Sequence, residues 1–233
     1  MSTLTTSPIC LALDTSDETE LCQLAEATAS SVGVYKIGLT TIHSMGPRLV
    51  PALARLKPVF VDAKLHDIPA QVTGAMEVIS GAGASYVTVH ATGGREMVRA
   101  AVDAAGDVKV LAVTVLTSLD QGSLVSLGIS GSVEDAVLRL ARVAVDGGAH
   151  GLVCSPHEVA RVRAEFGAVE EGGPLIVVPD IRPAGSTEGD QKRTMGPRAA
   201  IDAGADLIVI GRPIIEAEDP AGAAAAILEE LNA

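Results

Sequence analysis

Along the chain, short apolar runs alternate with longer segments whose apolar positions recur at helical spacing. The runs are ICLALD (9–14), VYKIGL (34–39), VFVDAK (59–64), YVTVHA (86–91), VLAVTVLT (110–117), GLVCS (151–155), LIVVPD (175–180) and LIVIGR (207–212). Each is rich in Val, Ile or Leu and short enough to be a strand. Between them, Ser16 or Asp17 can cap a helix running to about Ser31, with Glu18 and Glu20 near its positive N-terminal end. Pro69 suits the first turn of a helix reaching about Gly81, where its missing N–H is not needed. From Ser132 to Val145, apolar residues at 133, 137, 140, 141 and 144 form one helical face. Further helices are predicted near 44–56, 94–104, 157–166, 196–203 and 218–231. The AGA or GGA triplets at 82–84, 147–149 and 203–205 precede strands, and glycine there can end a helix in the left-handed conformation.

Eight strands alternating with eight helices predict one parallel (β/α)8 TIM barrel, a single domain over residues 1–233 without linker or low-complexity tract. An open doubly wound sheet is the alternative, but it usually needs fewer units. In a barrel, the C-terminal strand ends face the active site. The polar residues at those ends are Asp14, Lys36, Asp62, Lys64, His90, Thr117, Ser155, Asp180, Arg182 and Arg212. Most charges that interrupt the apolar runs lie there, which points to an enzyme.

Composition narrows the class. The net charge is −12, and no basic run is longer than Lys192-Arg193, so a nucleic-acid partner is not expected. With two Phe, two Tyr and no Trp, the chain lacks base-stacking platforms and membrane-interface belts. Cys10, Cys22 and Cys154 are odd in number and widely spaced, which argues against a disulfide framework or a zinc site. No basic n-region and no apolar stretch of about 18 residues occurs, so a cytoplasmic setting without a membrane span is expected. Lysine is rare: Lys36, Lys57, Lys64, Lys109 and Lys192 stand against twelve Arg.

Asp62 and Lys64 are two apart and so share a strand face. Desolvation lowers a lysine pKa and a nearby carboxylate raises it, so Lys64 held between Asp62 and another carboxylate should stay protonated. Such a lysine is a poor Schiff-base nucleophile and a good acid or electrostatic stabiliser. A structural ion pair closing the barrel end is the plainer reading; the scarcity of lysine and Asp67 within one turn favour the functional one. Gly211-Arg212 follows the eighth strand, where these barrels commonly bind phosphate, and the polar segment 179–193 reads as a lid with Arg182 at its root and Gln191 near its far end. P-loop, dinucleotide, nucleophile-elbow and HExxH motifs are missing, and the five His lack metal-ligand spacing, so no metal site is predicted.

DAKLHDIP at 62–69 resembles the D-x-K-x-x-D-I-P signature of the orotidine 5'-phosphate decarboxylase family. LALD (11–14), YKIG (35–38), VHATGG (89–94), VTVLTS (113–118), IRPAGS (181–186), GDQKR (189–193) and VIGRPI (209–214) are similar, in order, to runs of its bacterial branch. The resemblance implies decarboxylation of orotidine 5'-phosphate to uridine 5'-phosphate in pyrimidine synthesis, without metal or organic cofactor, by a homodimer with shared active sites. It implies that Lys64 protonates C6, that Asp62 sits near the departing carboxylate and that Lys36 completes the charged array. Asp67, with Ile68 beside it, would join the partner's site. Asp14 would bind the ribose and Thr117 the pyrimidine, while Arg182, Gln191, Gly211 and Arg212 would hold the phosphate side. Gln71 stands where the family has Thr, and Asp180 where it often has Gly. A sugar-phosphate synthase or decarboxylase on the same barrel is the runner-up; those relatives carry Glu in place of Asp62 and need a divalent metal. A non-catalytic phosphate-binding barrel is the third reading, and the intact Asp62, Lys64 and Asp67 set speaks against it.

Overall fold

The eight apolar runs become the strands of a closed barrel in the structure, a computed structural model that describes residues 7–183 and 195–233. The strands are β1 (Ile9–Ala12), β2 (Val34–Ile37), β3 (Val59–Leu65), β4 (Tyr86–His90), β5 (Lys109–Val113), β6 (Gly151–Val153), β7 (Leu175–Val178) and β8 (Leu207–Ile210). All pair in parallel with their sequence neighbours, and β8 closes on β1. The predicted (β/α)8 TIM barrel is therefore the fold.

The helices are α1 (Glu18–Thr28), α2 (Leu39–Met45), α3 (Val50–Leu53), α4 (Pro69–Gly81), α5 (Gly94–Asp103), α6 (Gln121–Ser126), α7 (Val133–Asp146), α8 (Val159–Phe166), α9 (Pro197–Asp202), α10 (Arg212–Ile215) and α11 (Pro220–Asn232). Local chemistry accounts for several starts. Asp17, rather than Ser16, caps α1: its Oδ1 accepts from the Thr19 and Glu20 amides at 2.7 and 3.1 Å. Ser132 and Asp135 form a reciprocal capping box at α7. Gly83, Gly148 and Gly204 all have positive φ, as the triplets predicted.

Three expectations change. The helix predicted at 44–56 begins earlier, as α2, and Gly46-Pro47 breaks it before α3 resumes. The run at 110–117 leaves the sheet after Val113; Val115, Leu116 and Thr117 line the cavity mouth instead. The run at 207–212 ends at Ile210, and Arg212 opens α10. Neither α6 nor α10 was predicted, because each is too short to display a period.

Side-chain alternation divides the apolar residues between two cores. Ile9, Leu11 and Leu13 point outward into the layer beneath the helices, whereas Cys10 and Ala12 point into the barrel. The interior is filled by Cys10, Val34, Phe60, Tyr86, Leu111, Leu175, Val177, Leu207 and Val209. Phe60 and Tyr86 meet edge to face at 6.2 Å. One inward step above Val34, Phe60 and Tyr86 come Lys36, Asp62 and Thr88, all buried and all polar. The apolar filling stops there, and a cavity begins.

Candidate active site

The cavity encloses about 610 Å³ at the C-terminal mouth of the barrel. Its lining includes Asp14, Lys36, Asp62, Lys64, Thr117, Arg182, Gly211 and Arg212, eight of the residues expected in the site. His90 and Ser155, also expected at strand ends, do not line it. His90 packs against His66 with ring centroids 5.4 Å apart, and Ser155 Oγ accepts from the His157 amide.

Charges alternate along one wall. Lys36 Nζ lies 3.2 Å from Asp14 Oδ1 and 3.6 Å from Asp62 Oδ2, and Lys64 Nζ lies 2.7 Å from the same Asp62 oxygen. Among the described residues of one chain, the lysine bracketed by two carboxylates is thus Lys36. Among the described residues Lys64 pairs with Asp62 alone, and its side chain keeps 31% of its exposure. Burial by itself would push the Lys36 ammonium toward neutrality, but Asp62 and Asp14 outweigh it and hold its pKa above the ordinary lysine value. Burial likewise opposes ionisation of Asp62. The charges of Lys36 and Lys64, with hydrogen bonds from Lys64 and Thr88, nonetheless hold its carboxyl below the usual range.

Simple alternation accounts for Asp62 but not for Lys64. The β3–β4 register shifts between Val61 and Leu65, and Lys64 has φ 48°, in the left-handed region that long side chains seldom occupy. Asp62 Oδ1 accepts from Thr88 Oγ1 at 2.8 Å, and the Lys64 amide donates to Thr88 Oγ1 at 2.9 Å. Thr88 escaped the sequence reading, although it shares the inward face of β4 with Tyr86 and His90. A hydroxyl at an inward strand position was the available signal. Gly38 also escaped. A Cβ there would come within 2.6 Å of Asp14 Oδ1 and 3.1 Å of Lys36 Nζ, so a side chain at this position would displace Asp14 Oδ1 from its present place beside Lys36.

Arg182, Gly211 and Arg212 line the cavity on the β7–β8 side. Asp180, where the resembled family often has Gly, has φ 64°, a conformation Asp tolerates better than most residues. Asp180 lines the cavity, as Arg182 does. Asp67, Ile68 and Gln71 stand outside the cavity, exposed at the start of α4, and Asp67 Oδ1 accepts from the Ile68 amide at 2.7 Å. Gln191 lies outside the described residues. No cluster of three or more His, Cys, Asp or Glu among the described residues could hold a metal ion, and no helix among them is long and apolar enough to cross a membrane.

Residues 7–227 match the Orotidine 5'-phosphate decarboxylase / HUMPS family. The chain is 55% identical over 221 residues to the orotidine 5'-phosphate decarboxylase of Anaeromyxobacter sp. (strain K), covering 94% of this chain and 96% of the relative. It is 49% identical over 228 residues to the enzyme of that name from Thermobifida fusca, covering 97% and 96% of the two chains. Among solved structures, it resembles orotidine 5'-phosphate decarboxylase from Lactobacillus acidophilus with a TM-score of 0.84 and 33% identity, over 97% of this chain and 99% of the other.

Proposed function

Since this chain belongs to the orotidine 5'-phosphate decarboxylase / HUMPS family, we propose how its own residues convert orotidine 5'-phosphate to uridine 5'-phosphate and CO2, a step of pyrimidine biosynthesis. The carrying observation is the line of Asp14, Lys36, Asp62 and Lys64 along a cavity that Arg182 and Arg212 also line. A cavity of this volume lies within the range (roughly 300–1,000 Å³) of small-molecule sites.

When the bond from C6 to the carboxylate breaks, the electron pair stays on C6 in the ring plane, where the π system cannot delocalise it. Lys64 answers that charge with a preorganised ammonium and passes one proton to C6; CO2 leaves, and solvent restores the lysine proton. Asp62 orients Lys64 and faces the departing carboxylate. Lys36 sits beneath as a fixed positive charge between Asp62 and Asp14, and Asp14 accepts from the ribose hydroxyls. Thr117 contacts the pyrimidine, and Arg182 and Arg212 pair with the phosphate while Gly211 allows close backbone approach. Gln191 completes the phosphate side, and Gln71 belongs to the rim near Ile68. Phosphate binding, remote from C6, contributes orientation.

Asp67 and Ile68 project from the rim, and Ile68 is 63% exposed. We assign them to the neighbouring site of a homodimer, where the partner's Asp67 supplies the second carboxylate that Lys64 lacks among the described residues of its own chain. The whole barrel acts as one cytoplasmic domain, without metal or organic cofactor.

Loss of the orotate chromophore, followed by ultraviolet absorbance, tests this. Lys64→Ala should lose at least about a thousandfold in kcat, the scale of a proton donor combined with charge stabilisation. Its melting temperature should stay near that of the parent. A chelator should leave the parent rate unchanged. Substantial turnover by the variant, or a chelator-sensitive rate, would overturn the assignment.

A further inference from the structure

We propose that Thr88 is a positioning residue for the decarboxylation, holding Lys64 and Asp62 in the geometry from which the proton is delivered. This role rests on Lys64 being the proton donor. Thr88 is 1% exposed at the centre of β4, one inward step above Tyr86, at the level where apolar packing gives way to the cavity. Its hydrogen bonds are fixed in direction by their partners. The Lys64 amide can only donate, so Thr88 Oγ1 accepts there, and its single proton goes to Asp62 Oδ1. Lys64 Nζ donates to the other oxygen, Asp62 Oδ2, at 2.7 Å. The ring is closed: Lys64 amide, Thr88 hydroxyl, the two Asp62 oxygens, Lys64 ammonium. It ties the backbone of the proton donor to its own side-chain tip and satisfies both carboxylate oxygens with different donors.

The backbone explains why a side chain is needed. The β3–β4 ladder slips between Val61 and Leu65, and Lys64 turns left-handed inside that slip. The Lys64 amide meets the Thr88 hydroxyl in place of a ladder carbonyl. A left-handed lysine persists only where surrounding contacts hold it. The bulge aims Lys64 along the cavity wall, and Thr88 keeps the bulge in one conformation.

Thr88→Val keeps the branched shape and removes the hydroxyl; Thr88→Ser keeps the hydroxyl. With Thr88→Val, kcat should fall roughly 10- to 100-fold, the cost of displacing a catalytic group by about an ångström. KM should change little, because the phosphate contacts are remote. The acid limb of the kcat–pH profile should move to higher pH, because Asp62 loses a donor that favours its charged form. Thr88→Ser should restore most of kcat. If Thr88→Val does not fold, Thr88→Cys, similar in size with a weak donor, is measured in its place against the same expectations. A hydroxyl-free variant with parental kcat and pH profile, a loss expressed in KM alone, or equal impairment by Val and Ser would overturn the role of Thr88. Lys64→Ala is assayed alongside: turnover there would instead overturn the assignment of the proton donor.

Discussion

At the scale of single residues, burial and neighbouring charge compete, and the winner differs from site to site. Beneath Lys36, burial pushes the Cys10 thiol up to about 12, so its position by an ammonium does not make it a nucleophile. At Lys36 the neighbours win, and the charge persists. His150 shows the opposite balance, on the far side of the barrel from the cavity. Its Nδ1 accepts from the Val110 amide at 3.0 Å, which requires the neutral ring. Partial burial of the ring, then the charge of Lys109, holds its pKa below the ordinary histidine value. The folded pKa lies under the unfolded value of about 6.5, so between the two the unfolded chain binds more protons. Stability from this group is complete above that window and is lost as pH falls through it. Urea midpoints measured from neutral to mildly acid pH should therefore fall, and His150→Gln should flatten that slope without changing turnover. A slope identical to the parent's would assign the acid sensitivity elsewhere, His90 being the next group with a lowered pKa.

At the scale of elements, the two ends of the barrel divide the work. The C-terminal ends carry the charged array, while the N-terminal face is tied together by Arg163 on α8. Its guanidinium donates to the carbonyls of Gly167, Pro174 and Gly204 and pairs with Asp206 Oδ2 at 2.6 Å, joining α8 to the segments that enter β7 and β8. Both partners are largely, though not wholly, buried, so solvent screening reduces the pair's strength. Arg163→Ala removes four acceptors' donor at once and should cost about 2–3 kcal/mol in chemical unfolding. The kcat of the remaining folded protein should be unchanged, as expected for the stability face of a barrel. A variant of parental stability with impaired kcat would reverse that division. Helix starts such as Asp17, Pro69 and Ser132 were legible because caps act within one turn. The break at Gly46-Pro47 is present in the sequence as residues, but the helix predicted at 44–56 runs across it.

At the scale of the whole molecule, the cavity lacks three predicted members: Asp67, Ile68 and Gln71. Asp67 stands on the rim with exposed Ile68 beside it, whereas Lys64 has one carboxylate partner among the described residues of its own chain. If two subunits exchange Asp67, Lys64→Ala and Asp67→Ala proteins should each be nearly inactive alone. Co-refolding them in equal amounts should recover about a quarter of the parental activity, because random pairing makes half the dimers mixed and leaves one intact site in each. Additive residual activity with no recovery, or sedimentation as a monomer at assay concentration, would confine Asp67 to its own subunit.

The eight strands, the barrel, and most of the charged residues that line the cavity were readable from the sequence alone. Apolar period and strand-end charge are local properties, and closing eight parallel strands brings their C-terminal ends to one place whatever fills the loops. Tertiary structure decided the finer pairing. That Lys36 sits between Asp14 and Asp62 depends on how neighbouring strands are staggered, which residue spacing does not contain. Lys64 reaches Asp62 through a left-handed bulge rather than plain alternation, because a slip in the ladder belongs to two strands together. Thr88 and Gly38 matter through contacts across strands or into an ion pair, and a hydroxyl or a missing side chain declares such a role only when its neighbours are in place. The segment DAKLHD announced the chemistry; the register of β2, β3 and β4 determined which of its atoms meet.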